Sequence, residues 1–136
     1  IGLGGANREK NRRVRDAGLG SLEILARAGV RMGYGTDLLG WMGRDQLEEF
    51  GLRARVLPAV EILKSATSVN AEILRRPDLG RVEEGATADL ILVDFSELES
   101  APNYETISQL VYASGRHQVT DVWIAGRRKL AARRLV

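Results

Sequence analysis

The chain has 136 residues, 44% of them hydrophobic and 28% charged, which is the size and composition of one ordinary soluble globular domain. It contains no cysteine, which excludes disulfides and thiolate metal sites. No apolar run reaches the roughly 18 residues of a membrane span, and no basic stretch followed by an apolar core marks a signal peptide, so a cytoplasmic protein with no membrane partner is the expectation. The net charge of +2 hides an uneven pattern: residues 8–15 (REKNRRVR) and 127–134 (RRKLAARR) are basic, and the stretch from Asp78 to Glu99 is acidic. Nucleic acid is not an expected partner, because aromatics are only 5% and no docking motif accompanies the basic runs. Those runs read as solvated surface or subunit contacts.

Residues 20–29 (GSLEILARAG) predict a short helix with Ser21 as N-cap, Leu22, Leu25 and Ala26 on one face, and Gly29 as its stop. Residues 30–35 (VRMGYG) predict a strand, which places Asp37 just beyond a strand end. A helix follows over 45–55 with Leu47, Phe50 and Leu52 inward, at a cost of up to about 1 kcal/mol for Gly51. Pro58 suits the first turn of the next helix, which turns Val60, Leu63 and Ala66 to one side. A further helix spans about 67–76 and ends at Pro77 and Gly80. From there the pattern changes. DLILVDF reads as a buried strand, ISQLVYAS and VTDVWIAG as two more, and AGRRKL supplies a hairpin turn into a last strand.

Chemistry-bearing residues are few. Asp37 stands where an α/β barrel would place an active-site carboxylate, although an Asp after a Gly-rich stretch is also an ordinary turn former or helix cap. His117, the only histidine, cannot build a metal site alone and reads as a loop residue. GLGG and GLGS lack the strand–turn–helix context of a phosphate loop. Trp41, Met42 and Phe50 are candidates either for a pocket wall or for packing beneath the loop.

Taken together, YGTDLLG (34–40), EEF (48–50), PAVEILKSATSVNAEIL (58–74), DLGRVEEGATADLILVD (78–94) and VTDVWIAGR (119–127) resemble the C-terminal part of an amidohydrolase-superfamily enzyme, in its prolidase-like and imidazolonepropionase-like branch. The resemblance covers about Gly18 to Arg127. It implies an α/β chain holding the last strand and following helices of a (β/α)8 metal-dependent hydrolase barrel, over residues 1–80, with part of a small β-sandwich over 81–136. Val30–Gly35 would be the eighth barrel strand. Asp37 would be both a catalytic residue and a metal ligand, serving as proton shuttle for a water whose pKa the metal lowers toward about 7. Asp89 would be structural, with Gly80 and Gly85 permitting tight turns.

The implied activity is cleavage of C–N bonds in small amide or dipeptide-like substrates by a peptidase or amidase that uses a divalent metal, with zinc expected. The superfamily's other ligands, a His-x-His on the first strand, a Lys or Glu on the fourth and histidines on the fifth and sixth, are not in this sequence. The expectation is therefore a C-terminal piece of a longer enzyme that holds no metal and shows no activity alone. Unpaired barrel edges would favour a homo-oligomer. The alternative is a non-catalytic α/β interaction domain.

Overall fold

The computed structural model describes residues 5–136. The Gly-rich opening Ile1–Gly4, which includes most of GLGG, lies outside the described residues. The first element is helix α1, Gly5–Arg27, far longer than the predicted 20–29. Its first half has no apolar stripe to reveal it, and a polar helix leaves no periodicity to read. Pairs such as Glu9–Arg12 at 2.7 Å and Glu23–Arg27 at 2.5 Å lie along its surface. Ser21 is not a cap: it sits mid-helix and its hydroxyl donates to the Ala17 carbonyl at 3.0 Å. Gly29 does stop the helix. With φ +68 it lets its own N–H reach Ala26 O and the Val30 N–H reach Leu25 O, at 3.1 and 3.0 Å, a Schellman closure.

Residues 30–35 form no ladder, contrary to the predicted strand. A strand needs a neighbour, and among the described residues none lies beside this segment, whose polar backbone groups bond instead to side chains and a helix carbonyl. A 3₁₀ turn, Gly40–Asp45, leads to α2, Glu48–Arg53, which opens on two acids suited to the positive end of its dipole. Leu47 and Leu52, expected inward, are exposed, and only Phe50 is partly covered.

Pro58 precedes α3, Ala59–Ala66, in extended conformation and receives the N–H groups of Glu61 and Ile62. The buried face of α3 is Ala59, Ile62 and Ser65, one position off the predicted Val60, Leu63 and Ala66. Two small residues on that face let α3 lie close to α4, Ser68–Ile73, and to a helical segment further on. Ala59, Ile62 and Ala71 are the buried apolar side chains among the described residues.

The junction between α3 and α4 is Thr67, whose hydroxyl donates to Leu63 O at 2.7 Å. Gly80 packs on it: its φ is +70, and a Cβ there would lie 2.5 Å from Thr67 O, so only glycine fits. Arg76 grips Asp78 with two bonds of 2.8 and 2.6 Å, and Thr87 ties to the same Asp78 through its N–H and its hydroxyl. This fastens the acidic loop at both ends. The Arg76 guanidinium, with help from Thr87, holds the Asp78 carboxyl well below the usual carboxylate range.

The sheet has four antiparallel strands in order β1-β2-β3-β4: Leu90–Val93, Val119–Ile124, Arg127–Ala131 and Arg134–Leu135. β1 is less buried than predicted, with Ile91 and Leu92 exposed. Two tight turns of the same hand join β2, β3 and β4. Ala125–Gly126 and Ala132–Arg133 all have positive φ, the twist that matches antiparallel strands. Asp89 plays the expected structural part, accepting from the Ala125 N–H at 2.7 Å to pin the first turn. The segment ISQLVYAS, predicted as a strand, is helical: Thr106–Ser108 is one α-turn, α5, and Gln109–Ala113 a π-turn. Glu105 caps it by accepting from Ile107 and Ser108 N–H, and the segment packs on α3.

Asp121 on β2 is buried and accepts from Arg128 and from the Ala132 N–H. The Arg128 guanidinium, then Thr120, hold its carboxyl below its ordinary value. A carboxyl whose pKa is lower folded than unfolded stabilises the fold above the unfolded value of about 3.9, and that stabilisation is lost as pH falls through the folded value. Asp121→Asn should therefore melt lower than the parent at neutral pH and show a shallower loss of melting temperature between about pH 5 and pH 2. Asp78, Asp94 and Glu105 are shifted the same way and contribute to the remaining slope. An unchanged acid limb in the variant would exclude Asp121 as a contributor.

Candidate functional site

Asp37 lies in the unpaired segment between α1 and the 3₁₀ turn. Its side chain is exposed and makes no hydrogen bond or ion pair among the described residues. It caps no helix, since the N-cap of the 3₁₀ turn is Leu39. Its backbone has φ +50, the left-handed region that non-glycine residues seldom occupy and that often marks a constrained, functional position.

The neighbours of Asp37 in sequence, Thr36 and Leu38, line a cavity of about 460 Å³ together with Trp41, Met42, Glu48 and Leu52. Trp41 stays 73% exposed, with the Arg44 guanidinium 5.1 Å from its ring centre. Of the three apolar candidates, Trp41 and Met42 thus stand at the cavity and Phe50 does not; Phe50 packs on Tyr34, with ring centres 4.5 Å apart. A cavity of similar size, about 520 Å³, lies between α1 and α2 beside Leu19, Leu22 and Arg55. None of the residues flanking Asp37 lines it, so the smaller cavity has the better claim to chemistry.

Around Gly33 and Tyr34, a few residues before Asp37 in the chain, lies a polar cluster that sequence reasoning missed. Arg53 bonds to Glu49 at 2.5 Å, donates to Gly33 O at 2.7 Å and sits over the Tyr34 ring at 5.2 Å. The Tyr34 hydroxyl donates to Gln46 O at 3.2 Å. Burial, and then the Glu49 charge, push the Tyr34 phenol pKa up against the opposing pull of Arg53. Asn70 on α4 bonds to the Tyr34 backbone. The available signal was Asn70 itself: an amide inside a helix at an inward position has to find a partner.

As a metal centre the chain is incomplete. Asp37 offers one open carboxylate, but no group of three or more His, Cys, Asp or Glu among the described residues could hold an ion. His117 is a surface residue of a 3₁₀ turn, 3.7 Å from Glu99, and is not brought to Asp37.

The family model of the amidohydrolase family matches residues 6–129, nearly the whole chain. The chain belongs to the amidohydrolase family. Among curated amidohydrolase relatives, a 5-methylthioadenosine/S-adenosylhomocysteine deaminase of Pelotomaculum thermopropionicum is 35% identical over 122 residues, covering 82% of this chain and 28% of its own length. The deaminase of the same name from Syntrophobacter fumaroxidans is 32% identical over 144 residues, covering 96% of this chain and 32% of its own. This family member therefore spans about a third or less of the relatives it matches. Among solved structures, a prolidase complexed with N-methylphosphonate-L-proline superposes with TM-score 0.74 at 37% identity, over 93% of this chain and 29% of that one. A zinc-bound adenosine deaminase from Xanthomonas campestris gives 0.69 at 41%, over 82% and 28%. The prolidase-like resemblance thus stands beside deaminase relatives in the same family. The α/β architecture with a small antiparallel sheet is that of a part of the family's barrel fold.

Proposed function

We infer that this chain is the C-terminal portion of a metal-dependent hydrolase that cleaves C–N bonds in small molecules, with Asp37 as one metal ligand and the group that carries a proton toward the leaving amine. The observation that carries the reading is the state of Asp37: exposed, without a partner among the described residues, and held in a left-handed backbone between residues that line a cavity. The relatives support the reaction class, since hydrolytic deamination and dipeptide cleavage both break a C–N bond. Zinc is the metal in this reading, in keeping with the zinc-bound adenosine deaminase. An amide or dipeptide-like substrate is the finer choice within the class.

In the same reading, residues 1–80 are the end of the barrel and 81–136 are strands of a small β domain, which also carries the helical segment packed on α3. The enzyme works in the cytoplasm as a homo-oligomer.

The other ligands belong to parts of the enzyme beyond this chain, so the 136 residues alone should turn over nothing. An assay of the isolated chain with added zinc, against a dipeptide panel and against adenosine, tests this. Clear turnover by the purified chain would show that the site is complete without further ligands and would sink the reading.

A further inference from the structure

Gly33 and Tyr34 carry backbone polar groups that a sheet neighbour would ordinarily bind. Here side chains bind them. The Asn70 amide faces Tyr34 with both poles: Nδ2–H donates to the Tyr34 carbonyl at 2.8 Å, and Oδ1 accepts from the Tyr34 N–H at 3.1 Å. This is the two-bond exchange of an antiparallel residue pair, made by one side chain. Ser65 O also accepts from the Tyr34 N–H, at 3.1 Å. Arg53 holds the preceding Gly33 carbonyl at 2.7 Å, and is itself fixed by Glu49, with only 11% and 15% of the two side chains exposed. A Cβ on Gly33 would lie 2.4 Å from Asn70 Oδ1, so the glycine admits the amide. The N-cap of α4 is Thr67, the residue on which Gly80 packs. The Gly80–Thr67 and Asn70–Tyr34 contacts are thus joined through the first turn of α4, and the second of them lies three residues before Asp37.

We propose that Asn70 is the positioning residue for Asp37: its amide, backed by Arg53, stands in for a strand neighbour at Tyr34 and so fixes where the carboxylate is presented. The clamp is a matter of geometry; its role in catalysis rests on the reading of Asp37 given above. A helix side chain ties the segment to the rigid α3–α4 pair, so the carboxylate's position is set by helix packing as well as by any sheet.

Two readouts test this. In the present chain, Asn70→Ala should speed hydrogen exchange at the Tyr34 amide by about tenfold or more, because local opening then costs less. In the full-length zinc-loaded enzyme the same change should lower kcat about 10²-fold, the penalty of a misplaced group, with KM held within about threefold. Asn70→Gln keeps a donor and an acceptor and should regain part of both losses. Unchanged exchange at Tyr34, or a kcat within about threefold of the parent, overturns the proposal. If Asn70→Ala fails to fold, Gly33→Ala pushes the amide away from the opposite side, and its two readouts decide in the same way. Asp37→Asn separates the layers. An active Asp37→Asn enzyme overturns the reading of Asp37 and with it the catalytic role of the clamp. An inactive one beside an unaffected Asn70→Ala enzyme removes the clamp's role alone.

Discussion

Asp37→Asn in the full-length zinc-loaded enzyme is expected to lower kcat by about 10²–10⁴-fold, the range lost when a general acid–base group is removed. The amide keeps the size of the carboxylate but can neither accept the proton nor offer an anionic ligand. Because Asp37 makes no bond among the described residues, its removal should leave folding nearly untouched, and the variant should melt within a degree or two of the parent, as surface substitutions do. Steady-state kinetics, zinc content and a melting curve on the same preparation check all three. A kcat within about threefold of the parent would end the case for Asp37 as a proton carrier. A large fall in melting temperature would mean that the exposed carboxylate holds the structure together in a way its surroundings do not suggest.

Ile62→Ala should produce the largest stability loss of any single truncation, about 2–5 kcal/mol by urea denaturation followed by circular dichroism. Ile62 is 0% exposed, and the other buried apolar side chains among the described residues are two alanines, Ala59 and Ala71. Truncation there removes the transfer free energy of the lost atoms and leaves a void where α3 packs on α4 and α5. Val60, on the opposite face and 38% exposed, is the control, and Val60→Ala should cost under about 1 kcal/mol. Domains of this size are stable by only about 5–15 kcal/mol, so the first change should be visible as a lowered midpoint at any temperature. Equal losses at the two positions would mean that α3 is not buried along Ala59, Ile62 and Ser65.

How far the sequence could be read varied with the kind of signal. β2, β3 and the Gly126 turn were legible, because β-branched runs and a glycine are local properties. α3 and α4 were legible as helices, yet the inward face of α3 was misjudged by one position. Periodicity alone favours the larger apolar residues Val60 and Leu63, whereas close packing on α4 selects the small Ala59 and Ser65. ISQLVYAS has strand composition but becomes helical, because Glu105 caps it, a local signal that the strand composition outweighed, and because α3 offers it a face, a contact that is not local in sequence. The turn at Ala132–Arg133 carries no glycine and so gave no sign. Asp37 could be singled out from the motif that holds it. The Asn70–Tyr34 clamp could not, since it joins residues 36 apart in sequence.

The backbone at Asp37 selects on its own account. A left-handed residue excludes β-branched side chains and disfavours most others, while tolerating glycine, asparagine and aspartate. The proton transfer proposed for this position asks for a carboxylate, which aspartate and glutamate supply. Asparagine passes only the first filter and glutamate only the second. Aspartate passes both, so under the proposed function drift to any other residue would fail on conformation, on charge or on both, and the backbone adds its own filter to that of the chemistry.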